Sequence, residues 1–342
     1  MQAGTVVAKG FFSIPLANLA PSTVLGFDLY LQHEGREPVL YRAKETPFTE
    51  DVRKRLLDSG VSELFVPSDQ LEAYEEYISR HGPAADQERQ QSSAISRDEE
   101  HLDDLLSDPD LAIDQRCSKL LGVSREVVQV ALSDLGSPGL KERVQRVAEL
   151  TARFLAGEPG AFSNAIRMLR TDFEIYDHCV HTSLYSIELT RALGMSVEEA
   201  AGIGRAAMVH DIGKGVLPGE LLHKEGKLSD LEWAEVMSHT ERGVTILREA
   251  GWDDPVCLDV CLNHHERCDG SGYPHGLVGE RISLPSRIVA VTDVFDALTS
   301  AYPARPPFTG FQALWKMRQE MGKTFDGDVL ETFVKSMVDP LR

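Results

Sequence analysis

Residues 203–214 read IGRAAMVHDIGK, an apolar, helix-like run that stops at His210 and Asp211. Ser196 and Glu199 form a capping-box pattern ahead of this run, so we predict a helix that ends near the His-Asp pair. A buried helix end that carries an imidazole and a carboxylate needs an explanation, because unpaired charge is costly to bury. Metal coordination would supply that explanation, although a His-Asp dipeptide alone is weak support for it.

Further imidazoles and carboxylates lie on either side of this pair. Glu174 and His178 are four residues apart and would share one face of a helix. Asp293 interrupts an apolar stretch, where a carboxylate again needs a partner. The candidate metal ligands are Glu174, His178, His210, Asp211, His239, His264, His265 and Asp293. Nitrogen and oxygen ligands without thiolates suit Fe, Mn or Zn better than Mg or Ca, and this set exceeds the needs of one ion, so we expect two or three metals.

Three segments together resemble a known family. HDIGK at 210–214 matches the HDxGK motif of HD-superfamily phosphohydrolases, and HHERCDGSGYP at 264–274 matches the HHExxDGxGYP motif of the HD-GYP subgroup. DVFDALTS at 293–300 matches the next signature of that subgroup. These motifs in this order are highly specific. Residues 141–342 are therefore similar to the HD-GYP domain.

The resemblance implies an all-α domain that hydrolyses cyclic di-GMP to pGpG or GMP with a metal-activated hydroxide. It implies two or three divalent ions, with Fe or Mn favoured, held by the candidate ligands. Asp211 would be the bridging, catalytic carboxylate, Lys214 would contact the phosphate and assist catalysis, and Glu174 matches an extra ligand of trinuclear members. The expected substrate contacts are Lys214, Arg267, Asp269, Gly272, Tyr273 and Arg305.

Some of these roles have a structural alternative. The loop 269–274 could serve only as a turn, since Gly and Pro mark turns. Tyr273 could stack on a guanine or merely pack. His181 lies near His178 on the same predicted helix and is expected to support or pack rather than to ligate.

One departure from the family pattern follows the third motif. Tyr302 stands where the family usually has an arginine and Ala304 where it has a tyrosine, whereas Arg305 keeps the basic character. Tyrosine cannot reproduce the bidentate phosphate contact of arginine, so two alternatives stay open. The chain could be a catalytically weak receptor that binds a cyclic dinucleotide or a protein partner. It could also be a phosphodiesterase for another cyclic dinucleotide, such as cyclic GMP-AMP.

The N-terminal part has a different character, so we predict an α+β chain with a small mixed α/β domain before the all-α domain. Phe27, Leu29 and Leu31 alternate with more polar residues, as in a half-buried strand, and Thr49 is predicted to begin a helix. The predicted division is a regulatory or interaction domain at 1–82, an acidic linker at 83–110, a helical connector at 111–140 and the HD-GYP domain at 141–342.

The composition narrows the partners and the compartment. With 35 Lys and Arg against 54 Asp and Glu, the formal net charge is −19, which argues against binding to a nucleic-acid polymer. The 5 cysteines are scattered, which is typical of a reducing compartment rather than a disulfide framework. No signal peptide and no run of about 20 apolar residues is visible, so we expect a cytoplasmic chain without a membrane segment. A homodimer and a protein partner of the N-terminal domain are further expectations.

Overall fold

In the computed structural model the chain separates into two units, Met1–Ala94 and Ile95–Arg342, each with its own hydrophobic core. Tyr302, Ala304 and Arg305, which carry the departure from the family pattern, lie outside the described residues. Within the described part of the chain, no helix combines the length and the apolar character that a membrane crossing requires. The structure describes residues 6–8, 10–19, 23–31, 38–44, 46–59, 61–71, 73–74, 77–78, 98–169, 174–218, 221, 224, 226–301 and 306–338.

The first unit contains a five-stranded antiparallel sheet with the strand order β1-β2-β7-β4-β5. Strands β3 and β6 pair as a second, two-stranded sheet. The helix α1 spans Glu50–Asp58. The strands are β1 Val6–Ala8, β2 Phe11–Pro15, β3 Thr23–Val24, β4 Leu29–Leu31, β5 Val39–Arg42, β6 Pro47–Phe48 and β7 Glu63–Pro67.

The core of the first unit follows the two-residue period of its strands. In β2, Phe12 and Ile14 are buried while the residues between them stay partly exposed, and Ile14 pairs with the buried Leu64 of β7. Phe27 and Leu29 are also buried, as their alternation predicts, although β4 begins only at Leu29. The first unit is therefore a small mixed α/β structure, which confirms this part of the predicted fold class.

The second unit is helical, which confirms the predicted all-α region. Its core is formed by the apolar faces of these helices. Ile212–Val216 and Gly279–Arg281 form short 3-10 turns. The helices are α2 Leu102–Ser107, α3 Ile113–Ser133, α4 Leu140–Gly157, α5 Ala161–Arg167, α6 Ile175–Ala192, α7 Val197–Val209, α8 Asp230–Met237, α9 His239–Glu249, α10 Pro255–Asn263, α11 Leu284–Thr299, α12 Gly310–Glu320 and α13 Gly327–Met337.

Local sequence signals explain where these helices begin and which face they bury. The predicted capping box of α7 is present: the backbone N–H of Glu199 donates to Oγ of Ser196 at 3.1 Å, and the Glu199 carboxylate accepts the N–H of Ser196 at 2.8 Å. On α4, Val144, Val147 and Leu150 lie at helical spacing and are all buried. The cap fixes the start of α7 and thereby places its last residue at the centre of the unit.

Part of the predicted linker and connector belongs to the folded second unit. Residues 83–97 lie outside the described residues. Beyond them, α2 buries Leu102 and Leu106 in the helical core, and α3 buries Leu120 and Val123 there. The acidic composition of 83–110 hid this packing, because two leucines one helical turn apart are enough to dock a short helix. The division of the chain into functional domains stays a prediction.

Candidate metal centre

The ends of three helices meet inside the second unit and carry most of the predicted ligands. His210 is the C-cap of α7, and Asp211 follows it directly. His239 is the first residue of α9, and His264 is the C-cap of α10. The other predicted ligands that reach the same place are His178 on α6, His265 after α10 and Asp293 on α11.

The turn after Asp211 packs against the start of α9 at a distance that only glycine permits. Gly213 lies in the 3-10 turn, and a Cβ atom at this position would lie 1.9 Å from the backbone oxygen of His239. It would also lie 2.7 Å from the backbone nitrogen of Gly243. The contact therefore depends on the missing side chain, and it keeps Asp211 next to His239.

The Asp211 carboxylate lies between two pairs of imidazoles. Its Oδ1 atom is 3.3 Å from Nε2 of His239 and 3.6 Å from Nε2 of His264. Its Oδ2 atom is 3.6 Å from Nε2 of His178 and 3.6 Å from Nε2 of His210. Each carboxylate oxygen thus faces two ring nitrogens, which is the arrangement expected of a carboxylate that bridges two cations.

The far nitrogens of three of these rings are fixed by the backbone. His210, His239 and His264 each place Nδ1 between 2.7 and 2.9 Å from a carbonyl oxygen three or four residues earlier in the chain. A carbonyl oxygen can only accept, so Nδ1 carries the proton in each ring. In the neutral imidazole the Nε2 atom that faces Asp211 is then an unprotonated lone pair.

Asp296 orients the fourth ring, and our sequence interpretation had given it no role. Its Oδ2 atom accepts a hydrogen bond from Nδ1 of His178 at 2.7 Å, and its Oδ1 atom accepts one from Nδ1 of His181 at 2.8 Å. A buried carboxylate behind a ligand imidazole fixes the tautomer and makes the other nitrogen more basic. His181 thus supports Asp296 from α6, in keeping with the supporting role expected of it.

Several hydrogen-bond acceptors in the cluster face one another with no donor hydrogen between them. Nε2 of His210 and Oδ1 of Asp211 are buried and find no hydrogen-bond partner within the described part of the chain. Nε2 of His239 lies 3.4 Å from Nε2 of His264, and both are lone pairs in the tautomers given above. Buried acceptors that face one another are costly, whereas a cation between them turns the same lone pairs into ligands. The residues therefore fit a metal centre.

Two candidate metal positions share Asp211. Within each group the ligand atoms lie within 4.8 Å of one another. Asp293 lies beside both groups, with Oδ1 3.2 Å from Nε2 of His178 and Oδ2 3.8 Å from Nδ1 of His265. The groups are His178, His210 and Asp211 on one side, and Asp211, His239, His264 and His265 on the other.

Burial keeps several of these imidazoles neutral. It lowers the pKa of His210 to about 3, because a charged ring would lose its hydration inside the helical core. Burial also lowers the pKa of His264 and, more strongly, that of His265. These three rings can therefore offer lone pairs to a cation at neutral pH without first releasing a proton.

The carboxylates are charged, and in the metal-free protein they draw positive charge to themselves. Burial opposes ionisation of Asp211, but the Lys214 ammonium, which donates to Oδ2, and the surrounding imidazoles together outweigh it and hold the Asp211 pKa well below its usual range. Burial likewise disfavours a charge on His178, yet hydrogen bonds to Asp293 and Asp296 raise its pKa to about 10. An ion on the His178 side would therefore displace a proton from this ring.

The structure does not bring Glu174 to the cluster. The expectation that Glu174 and His178 share a face required both residues to be helical. Instead α6 begins at Ile175, and Glu174 is its N-cap with an extended backbone (φ −128, ψ 135). Its side chain is exposed, and it belongs to neither ligand group. The two ligand groups of the described residues therefore do not include Glu174, and the number of ions, two or three, stays a prediction.

A cavity of about 530 Å³ opens above the cluster. Asp269, a predicted substrate contact, does not line it, because its Oδ1 accepts the N–H and the hydroxyl of Ser271 at 3.0 and 2.6 Å and so closes a turn. Arg305 lies outside the described residues. The predicted substrate contacts that do line the cavity are Lys214, Arg267, Gly272 and Tyr273.

The loop that closes one side of the cavity is held by a buried carboxylate that sequence reasoning missed. Glu266 is 1% exposed, and its two oxygens accept backbone N–H groups from the far side of the loop at 2.7 and 2.8 Å. At Gly272 a Cβ atom would lie 2.3 Å from the backbone nitrogen of Arg267, so the loop folds tightly there. This packing sets the ring of Tyr273 4.7 Å from the ring of His265.

Comparison with known proteins gives a family and two curated relatives. A model of the HD domain matches residues 136–329. A cyclic di-GMP phosphodiesterase from Pseudomonas aeruginosa is 38% identical over 191 residues, which are 56% of this chain and 46% of the relative. A 3'3'-cGAMP-specific phosphodiesterase from Vibrio cholerae is 36% identical over 159 residues, which are 46% of this chain and 30% of the relative. The chain thus spans less than half the length of each of these relatives.

A solved structure has the same fold along nearly the whole chain. An HDG"Y"P protein from Bdellovibrio bacteriovorus superimposes with a TM-score of 0.61 at 18% sequence identity. The likeness covers 95% of this chain and 98% of that protein. At such a low identity it shows the fold alone.

Proposed function

Because the chain belongs to the HD domain family, we propose that it hydrolyses cyclic di-GMP, to pGpG or onward to GMP, with two divalent metal ions. The substrate is taken from the Pseudomonas aeruginosa relative, which is named a cyclic di-GMP phosphodiesterase. The motif at 264–274, which resembles the HD-GYP signature, supports the same choice.

The strongest support is the position of Asp211 between two pairs of imidazoles, three of which present an Nε2 lone pair to it. Its two oxygens face His239 and His264 on one side and His178 and His210 on the other, at 3.3 to 3.6 Å. Within the described part of the chain, Nε2 of His210 and Oδ1 of Asp211 are buried acceptors without a hydrogen-bond partner, which a packed core would not retain without a compensating charge. Two cations, one held by His178, His210 and Asp211 and the other by Asp211, His239, His264 and His265, would satisfy them.

The side chains divide the work around these ions. When bound, divalent ions make a nucleophile from water at neutral pH and offset the charge on the phosphoryl oxygens. Asp211, Asp293 and the imidazoles would hold the ions, and Asp296 keeps His178 in the orientation that exposes Nε2. The ligand set of nitrogen and carboxylate oxygen, without thiolate, suits Fe, Mn or Zn, and the resemblance to the HD-GYP family favours Fe or Mn among them.

Two positively charged side chains line the cavity of this otherwise acidic chain. The formal net charge of −19 would repel a phosphodiester, so its binding needs local positive charge. Lys214 and Arg267 line the cavity. Arg267 is held there by hydrogen bonds from Nη1 to the carbonyl oxygens of His264 and Glu266, at 3.1 and 3.0 Å, and by the ring of Phe325, 5.8 Å away. We propose that the side chains of Lys214 and Arg267 bind the phosphate groups of the substrate.

A second candidate substrate is 3'3'-cGAMP. The Vibrio cholerae relative, named as specific for this nucleotide, is 36% identical to the chain. The two substrates share the phosphodiester and differ in one base, so the ligand cluster would serve both. A catalytically weak receptor is the further alternative, and it rests on Tyr302, which lies outside the described residues.

One experiment separates these possibilities. The full chain is purified anaerobically, its metal content is measured by elemental analysis, and its turnover of cyclic di-GMP and of 3'3'-cGAMP is compared. We expect about two Fe or Mn ions per chain and faster hydrolysis of cyclic di-GMP. Tight nucleotide binding without turnover at full metal content would favour the receptor, and preference for 3'3'-cGAMP would favour the second substrate.

The remaining functional expectations concern the first unit and the cell. We infer that the first unit regulates the second or binds a protein partner, because its described residues include no group of metal ligands of the kind found in the second. The homodimer and the cytoplasmic location stay predictions.

A further inference from the structure

The helix α8 carries a tryptophan that the core does not use. None of the residues of α8 is buried, and Trp233 is 47% exposed. Its start is fixed by the Ser229–Glu232 capping box, and an ion pair between Glu235 and Arg242 at 2.7 Å joins it to α9. Tryptophan usually buries a large area, so this indole is not explained by the stability of the core.

The indole lies at the rim of the cavity above the ligand cluster. Trp233 and Met237, one helical turn later, both line that cavity. The ring of Trp233 lies 6.1 Å from the ring of Tyr273 and nearly perpendicular to it, at 81°. Tyr273 in turn is tilted only 30° from the ring of His265, 4.7 Å away. Tyr273 is thus already stacked on the protein, and Trp233 is the rim aromatic with half of its surface free.

The lining of the cavity combines two kinds of residue. His178, Lys214, His265 and Asp293 carry charge or ligand atoms. Trp233, Met237, Val294 and Met321 are apolar, and the first two belong to the exposed helix α8 rather than to the ligand cluster. A nucleotide has two corresponding parts, because its sugar separates a charged phosphate from a flat, apolar-faced base. With the phosphate at the cluster, the base must lie away from it, and Trp233 on α8 offers a half-exposed apolar surface of the cavity outside the cluster.

We propose that the indole of Trp233 is the stacking platform for a purine base of the substrate and so determines that the cavity accepts a nucleotide rather than a bare phosphoester. The choice of a nucleotide as occupant rests on the proposed function. Stacking on an aromatic ring tolerates any base, so Trp233 provides affinity for a purine without selecting guanine over adenine.

The test compares ligands that differ only in the base. Binding of GMP, AMP and ribose 5-phosphate to the Mn-loaded full chain is measured by isothermal titration calorimetry. We expect the two nucleotides to bind about 5- to 150-fold more tightly than ribose 5-phosphate, the range typical of one stacked base. Trp233→Leu should abolish this gap while leaving ribose 5-phosphate unaffected, and Trp233→Phe should retain most of it.

Trp315→Leu is the matched control, because Trp315 is 55% exposed on another surface helix and does not line the cavity. It should bind all three ligands as the unsubstituted chain does. The proposal is overturned if the unsubstituted chain shows no gap, if the gap survives in Trp233→Leu, or if that variant weakens all three ligands equally. Loss of metal from Trp233→Leu would also overturn it, since Trp233 would then support the metal centre.

The result is independent of whether the chain is a phosphodiesterase. A gap that depends on Trp233, together with no turnover of cyclic di-GMP, would uphold the platform and reject the proposed function. Turnover of cyclic di-GMP, together with a gap that Trp233→Leu leaves unchanged, would uphold the proposed function and reject the platform. With active protein, Trp233→Leu should raise KM for cyclic di-GMP by the same factor and leave kcat within about twofold, as expected for an interaction equal in the ground and transition states.

Discussion

In the ligand cluster beneath the cavity, here called the floor, His210 and His264 are fully buried, whereas at the rim of the cavity Trp233 is 47% exposed. His210 and His264 are each fixed from behind by a carbonyl oxygen and His178 by a carboxylate, and Nε2 of each of these rings lies 3.6 Å from an oxygen of Asp211. The rim is held by loop hydrogen bonds and ring contacts that reach the surface. Changes at the floor should therefore remove metal, while changes at the rim should alter ligand affinity at constant metal content.

The largest expected effect follows removal of the bridging carboxylate. Asp211→Ala deletes the side chain shared by both ligand groups, so we expect loss of both ions and a fall in turnover of more than about 100-fold, beyond what supporting residues usually cost. Elemental analysis and a product assay measure both. Asp253→Ala is the control, because the Asp253 side chain is 89% exposed. Full metal content in Asp211→Ala would contradict the bridging role.

The next prediction tests the close packing of the turn at Gly213 against α9, which keeps Asp211 next to His239. Gly213→Ala would insert a Cβ atom 1.9 Å from the backbone oxygen of His239, so the turn and α9 must separate. We expect a loss of about 1–3 kcal/mol in the free energy of unfolding, typical of overpacking, together with weaker metal binding. Thermal unfolding and metal titration measure the two changes.

Gly202→Ala is the control for that substitution. Gly202 lies on α7, and a Cβ atom there meets nothing within 4 Å. Alanine in an open helical position should raise stability by up to about 1 kcal/mol. If both variants behaved alike, the packing of Gly213 against α9 would not be what positions Asp211.

The residues of the floor could be predicted from the sequence more fully than those of the rim, for a physical reason. His210 and Asp211 end an apolar run, and burial of charge at that point already demands a partner. Asp296 was missed because its two partners lie on α6, 118 and 115 residues earlier, and no local pattern reports such a contact. Trp233 was missed because exposure of one helical face depends on tertiary packing.

Where sequence reasoning assigned a role that the structure does not support, it had assumed too much regularity. Glu174 was given a helical backbone, but the helix begins one residue later. Asp269 was expected to contact the substrate; its Oδ1 accepts the N–H and the hydroxyl of Ser271 in its own turn, and the substrate contact stays a prediction. In the first unit, strands β3 and β6 have two residues each, too few to show a period.

The pH dependence of metal binding should distinguish the two sides of Asp211. In the metal-free protein, hydrogen bonds to two carboxylates raise the pKa of His178 to about 10. The proton on this ring therefore stabilises the folded protein fully below the ordinary pKa of 6.5, and this stabilisation is lost as the pH rises through about 10. Metal binding on this side must displace that proton. Its affinity should rise about tenfold per pH unit between pH 6.5 and 8.5.

The other side lacks this requirement at His264 and His265, whose pKa values burial lowers, so its affinity should change less with pH. Competition with a chelator at several pH values resolves the two steps, and calorimetry in buffers of different ionisation enthalpy counts the protons released. Equal slopes for both ions would contradict the assignment of the proton to His178.

The smallest expected effect concerns the loop at the rim. Glu266→Gln keeps one acceptor oxygen but turns the other into an amide that cannot accept, so one of the two backbone N–H groups that Glu266 holds at 2.7 and 2.8 Å loses its partner. A hydrogen bond to a charged group contributes about 1.5–3 kcal/mol, and because only the loop depends on it we expect KM to rise by roughly tenfold, the lower end of that range.

Metal content should stay full, since Glu266 belongs to neither ligand group. Glu280→Gln, on an exposed glutamate of the same region, should leave KM unchanged. If Glu266→Gln released metal instead, the rim would be part of the floor, and the separation between ligand binding and metal binding would not hold.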